Sequence, residues 1–208
     1  ELNIRIPDGF STLDPDNWTL DSDCRMCYQI YETLYALADD NSEVPVLATG
    51  YTVSDDGLTY VFTLRDGVTF SNGDKLTATD AAYSIERAKS SAYLSSNVST
   101  VDTAVADDAA GTVTVTLTTP TPGLISGLSY IMIVDKAYTE ANKDANGLLG
   151  FNACGTGPYM LKDYTQDVSV TLEANPNYWG EAPSIQTLNF LLIVDENTAL
   201  SAFEAGEL

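Results

Sequence analysis

Two cysteines three apart, Cys24-Arg-Met-Cys27, form a spacing that redox and metal chemistry both use. A thiol at a helix N-terminus has a lowered pKa, so a thioredoxin-like pair is one reading of them. That chemistry places the pair directly after a core strand in a small βαβ unit, and no such strand precedes Cys24. Zinc would need four ligands. Only Cys154 remains and there is no histidine, so Cys and His cannot complete a site. The other reading is two small residues on a partly buried helix; a bridge between them in an oxidising compartment would leave one thiol over. The absence of histidine also removes Ser-His-Asp and Cys-His nucleophiles, His-based acid–base catalysis and haem ligation through His.

Gly155-Thr-Gly-Pro-Tyr159 has the glycine density of a phosphate loop. It lacks the Lys-Ser/Thr of a P-loop and the third glycine of the dinucleotide fingerprint. Pro158 removes a backbone donor where a phosphate would need one. The stretch reads as a tight lead-in to a strand from Met160, with glycine allowing neighbours to approach closely. Asp14, Asp16, Asp21 and Asp23 cluster without the glycine and terminal glutamate of an EF-hand loop, and capping and turn formation account for most of them. Among the aromatic residues, Tyr28, Tyr31, Tyr35, Tyr178 and Trp179 read as core or rim. Trp18 and Tyr93 stand outside clear periodic segments and are expected to face a ligand.

The elements that must position these residues follow from periodicity. Leu2, Ile4 and Ile6 alternate with polar residues as a strand does. Asp21-Ser22-Asp23 offers N-cap oxygens for a helix from about Cys24 to Ala38, whose apolar face is Met26, Cys27, Ile30, Tyr31, Leu34 and Leu37. Tyr51–Ser54 and Leu58–Arg65 flank Asp55-Asp56-Gly57 as a hairpin. Thr77 and Asp80 are spaced as a capping box for a helix to about Ser90. Thr112–Leu117 alternates as a half-buried antiparallel strand, and a helix is expected around Asp135–Lys143. Met160–Tyr164 and Val168–Glu173 suggest a strand pair, and Leu188–Val194 a strand at a sheet centre. A last helix, Thr198–Glu204, ends before Gly206. Strands and helices mix without strict alternation, so the class is α+β or mixed α/β.

Composition bounds the function. With 44% hydrophobic residues the chain can bury a core, while 9 Lys+Arg against 30 Asp+Glu leave a formal charge of −21. Such a surface repels nucleic acids and anionic membranes. The apolar stretch Leu124–Val134 falls short of the ~20 residues a bilayer requires. The chain opens on Glu1-Leu2-Asn3 with no signal-peptide pattern, so it is either cytoplasmic or separated from its targeting segment. Its stop at Glu207-Leu208, just after a helix that should lead into another strand, reads as an interruption.

Taken in order, several stretches resemble one family. They are Leu13-Asp14-Pro15, Ile30-Tyr-Glu-Thr-Leu34, Pro45-Val-Leu-Ala48, Ser54-Asp-Asp-Gly-Leu-Thr-Tyr60 through Val68, Phe70-Ser-Asn-Gly73 through Asp80, and Tyr83-Ser-Ile-Glu-Arg87. Gly155–Tyr159, Asn175-Pro-Asn-Tyr-Trp179 and Ala205-Gly-Glu207 complete the set. In this order and spacing they resemble the extracellular solute-binding proteins, family 5, of oligopeptide and dipeptide ABC importers.

The resemblance implies a periplasmic-binding-protein-like type II lobe carrying an inserted β-rich domain, with the second lobe absent from this chain. Residues 1–44 plus 155–208 would form the first, incomplete lobe, and 45–154 the insertion. The implied function is non-catalytic capture of oligopeptides or dipeptides between two lobes that close on the ligand. It also implies delivery to a membrane ABC permease, a monomer, no cofactor, and an extracellular lipoprotein or periplasmic location. Carried over position by position, Trp18, Thr19, Leu20, Asp21, Ser22 and Tyr93 would meet the ligand. Relatives carrying oligosaccharides, nickel chelates or haem leave the solute class open, and a thiol oxidoreductase using Cys24 and Cys27 is the alternative from another class.

Overall fold

Apolar–polar alternation at the start of the chain becomes β1 (Leu2–Ile6), in a computed structural model that describes all 208 residues, Glu1–Leu208. The following elements are α1 (Asp21–Ile30), β2 (Tyr35–Leu37), β3 (Glu43–Pro45), β4 (Ala48–Val53), β5 (Thr59–Leu64) and α2 (Ala78–Ala88). Next come β6 (Val101–Asp107), β7 (Thr112–Leu117), α3 (Leu124–Leu128) and α4 (Lys136–Asn142). The chain closes with β8 (Tyr159–Thr165), β9 (Ser169–Ala174), β10 (Thr187–Leu192) and α5 (Glu196–Glu204). The class is mixed α/β.

Two four-stranded sheets organise the chain. One has the order β1-β10-β9-β8 and brings its two ends together, since β1 runs parallel to β10 with Ile4 opposite Phe190. The nearly continuous apolar run of β10 suits its interior place between β1 and β9. The other sheet, β4-β5-β7-β6, is antiparallel throughout. A short ribbon, β2-β3, joins neither.

Each sheet buries its own core. Met26, Cys27 and Ile30 of α1 pack with Val170, Leu172, Leu188 and Phe190. Ala81, Ile85 and Ala88 of α2 pack with Phe62, Val113 and Val115. The small side chains of α2 let its axis approach β6 and β7 closely. Thr77 and Asp80 make the expected capping box: each accepts from the other's backbone N–H, at 2.9 Å for Thr77 N and 3.3 Å for Asp80 N. Asp135 caps α4 through the Tyr138 N–H at 2.9 Å.

The expected helix over 24–38 is corrected in both directions. It begins at Asp21 with Leu20 as an N-cap that makes no side-chain bond. The Asp23 carboxylate instead accepts from the Ser11 and Thr12 N–H groups, and the Ser22 hydroxyl donates to the Gly9 carbonyl. At its far end it stops at Ile30, because the Ile30 carbonyl accepts from Gly157 N–H at 2.8 Å and the Glu32 carbonyl from Ile133 N–H at 2.8 Å. Tyr35–Leu37, expected within the helix, pairs with Glu43–Pro45. The apolar spacing continued past Ile30, but long-range partners took the backbone groups. Strand β6 and helix α3 lay outside the sequence-based elements.

Candidate functional site

The turn after Leu13 is built around a buried ion triad. The Asp14 side chain is 0% exposed, and both its oxygens accept from Arg87 Nη2, at 2.7 and 2.9 Å. Asp16 Oδ2 accepts from Arg87 Nη1 at 2.7 Å. Backbone donors from Leu149 and Asp16 complete Asp14, at 2.9 and 3.0 Å. Burial pushes the Asp16 carboxyl up to about 7 even though Arg87 pulls it down. For Arg87 burial opposes the charge, yet the two carboxylates more than offset it and hold the guanidinium above its ordinary range. Leu13-Asp14-Pro15 and the Glu86-Arg87 end of α2 are thereby one structural unit.

That unit joins the two segments expected to meet a ligand. The Ser91 hydroxyl donates to the Asp16 carbonyl at 2.6 Å and accepts from the Tyr93 and Leu94 N–H groups at 3.1 Å. A cavity of about 440 Å³ lies beside the junction, lined by Asp16, Asn17, Arg87, Ser90 and Ser91 and bounded by residues of the 143–148 loop.

The six expected residues do not share one pocket. Tyr93 is exposed and Trp18 packs half-buried against the larger core. Thr19 is exposed and lines a second cavity with Ser11, Asn17 and Asn152, while Leu20 is half-buried at the start of α1. Asp21 and Ser22 border a small cavity of about 130 Å³ with Arg5, Arg25 and Phe190, and the Ser22 hydroxyl is committed to Gly9.

The glycine motif acts as a backbone clasp. A Cβ on Gly155 would lie 2.1 Å from the Ile30 carbonyl oxygen, and one on Gly157 2.7 Å from it. Thr156 Oγ1 and Trp179 Nε1 both donate to Glu32 Oε2, at 2.8 and 2.7 Å, and the Arg65 guanidinium stacks 4.4 Å above the Trp179 ring. Burial pushes the Glu32 carboxyl above its usual range, against the pull of its donors. The motif thus ties the end of α1 to the Asn175–Trp179 turn.

The thiols are not activated. All three cysteines are free. Burial, followed by the Asp21 charge, pushes the Cys24 thiol up, and burial pushes Cys27 well above its ordinary value. A helix N-terminus favours a lowered thiol pKa, but here desolvation and neighbouring carboxylates oppose it. No three Cys, His, Asp or Glu side chains group as metal ligands would.

A cavity missed by the sequence reading lies at the other end of α1. It measures about 420 Å³ and is lined by Tyr28, Glu32, Ala36, Leu37, Val46 and Tyr130 among others. Tyr28, expected in the core or its rim, is 44% exposed. The signal available was its place seven residues after Asp21, on the same stripe of the helix.

Comparison with known proteins is consistent along the chain. The family described as bacterial extracellular solute-binding proteins, family 5 Middle, matches residues 43–208. A curated relative, the glutathione-binding protein GsiB of Salmonella typhi, is 33% identical over 217 aligned residues, which take in 100% of this chain and 41% of the relative. The chain therefore spans about two fifths of the length of the curated relatives it matches. The solved structure of MoaA from A. tumefaciens R10 with mannopinic acid superposes with a TM-score of 0.91 at 28% identity, covering 100% of this chain and 43% of that one. NikA from Brucella suis with Fe(III)-EDTA gives 0.90 at 26% identity, covering 100% and 42%.

Proposed function

The chain belongs to the bacterial extracellular solute-binding proteins, family 5, and from that premise we propose that it supplies one wall of a cleft capturing a small peptide for an ABC importer, without catalysis. The observation that carries this reading is the Arg87 fork. It holds the 14–16 turn against α2 and Ser91, so that two segments from distant parts of the chain meet beside an open cavity, with Trp18–Ser22 following on from one and Tyr93 from the other. Fixed loops suit a binding wall, because preorganisation lowers the ordering cost of capture. Trp18, Thr19, Leu20, Asp21, Ser22 and Tyr93 are the proposed ligand-facing residues. Residues 1–44 with 155–208 are proposed as the ligand lobe, and 45–154 as the insertion.

The opposing wall is assigned to the part of such a protein outside residues 1–208, since relatives are more than twice this length. The complete protein would work outside the cytoplasmic membrane as a monomer and hand its solute to the permease. A peptide is favoured because the curated relative is named for glutathione, a tripeptide derivative. The structural neighbours hold mannopinic acid and Fe(III)-EDTA, so the family cleft also accepts other compact solutes.

Native mass spectrometry of the full-length protein, purified without denaturation, tests this. A ladder of short-peptide masses that disappears in Trp18→Ala and Tyr93→Ala variants is the expected result. A single non-peptide mass would overturn the peptide assignment, and a ladder unchanged in both variants would overturn the assigned wall.

A further inference from the structure

Helix α1 carries an exposed stripe from the proposed contact segment to the cavity at its far end. Asp21, Cys24 and Tyr28 follow one another at spacings of three and four, which places them on one helix face. Asp21 belongs to the proposed ligand wall, and Tyr28 lines the 420 Å³ cavity. Tyr130 approaches from the segment after α3. It lies close enough to Tyr28 that, after burial and Cys24, it contributes to holding the Tyr28 hydroxyl protonated. The two residues are 44% and 45% exposed, and both line the cavity.

The lining is chemically one-sided. Ala36, Leu37 and Val46 supply an aliphatic floor, and the two tyrosines supply π-faces. Glu32 is the one charged residue in the lining, with no Lys or Arg within ion-pair distance of it, and no basic residue lines the cavity. Arg65, the cation near it, is already committed to the Trp179 ring and to the Val46 carbonyl at 2.9 Å. An aromatic and aliphatic cavity with no basic residue in its lining, on a chain of net charge −21, complements a cation on an alkyl stem. The stem meets the apolar floor and the cation meets tyrosine faces.

We infer that the cavity between Tyr28 and Tyr130 is a subsite for a basic side chain of the solute, a lysine-like ammonium or an arginine-like guanidinium. This rests on the solute-binding reading above and adds a selectivity to it: basic peptides are preferred over acidic ones.

Calorimetry on the full-length protein with Ala-Ala-Ala, Ala-Arg-Ala, Ala-Leu-Ala and Ala-Glu-Ala provides the test. Tyr28→Ala and Tyr130→Ala are the informative variants, since both side chains are half exposed and neither anchors the core. Glu32 is left intact because Trp179 and Thr156 depend on it. The arginine peptide is expected to bind at least about tenfold tighter than the glutamate peptide. Each tyrosine variant is expected to weaken the arginine peptide about fivefold, the scale of one cation–π contact, and to leave Ala-Ala-Ala unchanged. Equal affinities across the series, or tighter binding of the leucine peptide, would overturn the subsite while leaving peptide capture standing. If no peptide binds, N-acetyl-arginine methylamide is added while the Tyr28 and Tyr130 ring resonances are followed. Shifts absent with the norleucine analogue would support the subsite although the peptide reading had failed, and no shift would overturn both.

Discussion

Replacing Arg87 by Met keeps the length and aliphatic stem of the side chain and removes three charge-assisted bonds, two to Asp14 and one to Asp16. The carboxylates left behind are 0% and 8% exposed, so they lose the charge that compensates their burial. Removing one partner of a buried ion pair costs about 3–5 kcal/mol. Asp14 keeps backbone donors from Leu149 and Asp16, which places the loss near the lower end, about 3 kcal/mol. The deficit also has a definite pH dependence. A carboxyl whose folded pKa is raised loses stability as pH climbs from its unfolded value towards its folded one, and without the pull of Arg87 the Asp16 carboxyl rises further. The variant is therefore expected to be closest to wild type at pH 5 and furthest below it at pH 8. Urea unfolding at both pH values, followed by tryptophan fluorescence, reads this out, because Trp18 lies two residues beyond Asp16. Adding Asp16→Asn to the variant should restore part of the loss at pH 8 by removing one unpaired charge. A deficit below about 1 kcal/mol, or one larger at pH 5 than at pH 8, would show that the triad does not act as a buried charge unit.

Three further outcomes are expected. Asp16 contributes stability that is fully present below about pH 3.8 and lost as pH rises towards about 7. Asp16→Asn alone should therefore flatten the stability–pH curve across that interval, and an unaltered slope in urea titrations would refute the assignment. Gly155→Ala should destabilise by about 3 kcal/mol or prevent folding, because its Cβ would meet the Ile30 carbonyl at 2.1 Å. Gly123→Ala, with open space around it and a negative φ, is the control and should stay within about 0.5 kcal/mol of wild type by thermal melting. In a native thiol titration at pH 7.5, Cys27 and Cys154 should react only after unfolding and Cys24 slowly. A fast-reacting thiol would reopen redox chemistry at the Cys24–Cys27 pair.

Short-range patterns carried far into the structure. The capping box at Thr77 and Asp80, the helix after Asp135, the β4–β5 hairpin, the alternating strands β1 and β7 and the β8–β9 pair stand where the residues place them. The reason is physical: each depends on groups a few positions apart, so the competing conformations are few and local. The order of family motifs was equally legible, because it is a property of the chain alone.

Tertiary contacts decided the rest. Apolar spacing extended α1 to Ala38, yet Gly157, Ile133 and the β3 strand claimed the backbone groups beyond Ile30. Asp14 and Asp16 looked like turn formers until Arg87, more than seventy residues away, supplied the charge that buries them. Tyr28 read as core or rim from its residue type although it lies off the apolar face of α1, and only the placing of Tyr130 and Val46 beside it shows that it borders a cavity. A lone sequence determines which groups can form local hydrogen bonds and apolar faces. Which distant partner outcompetes the local one depends on the packing of both cores at once.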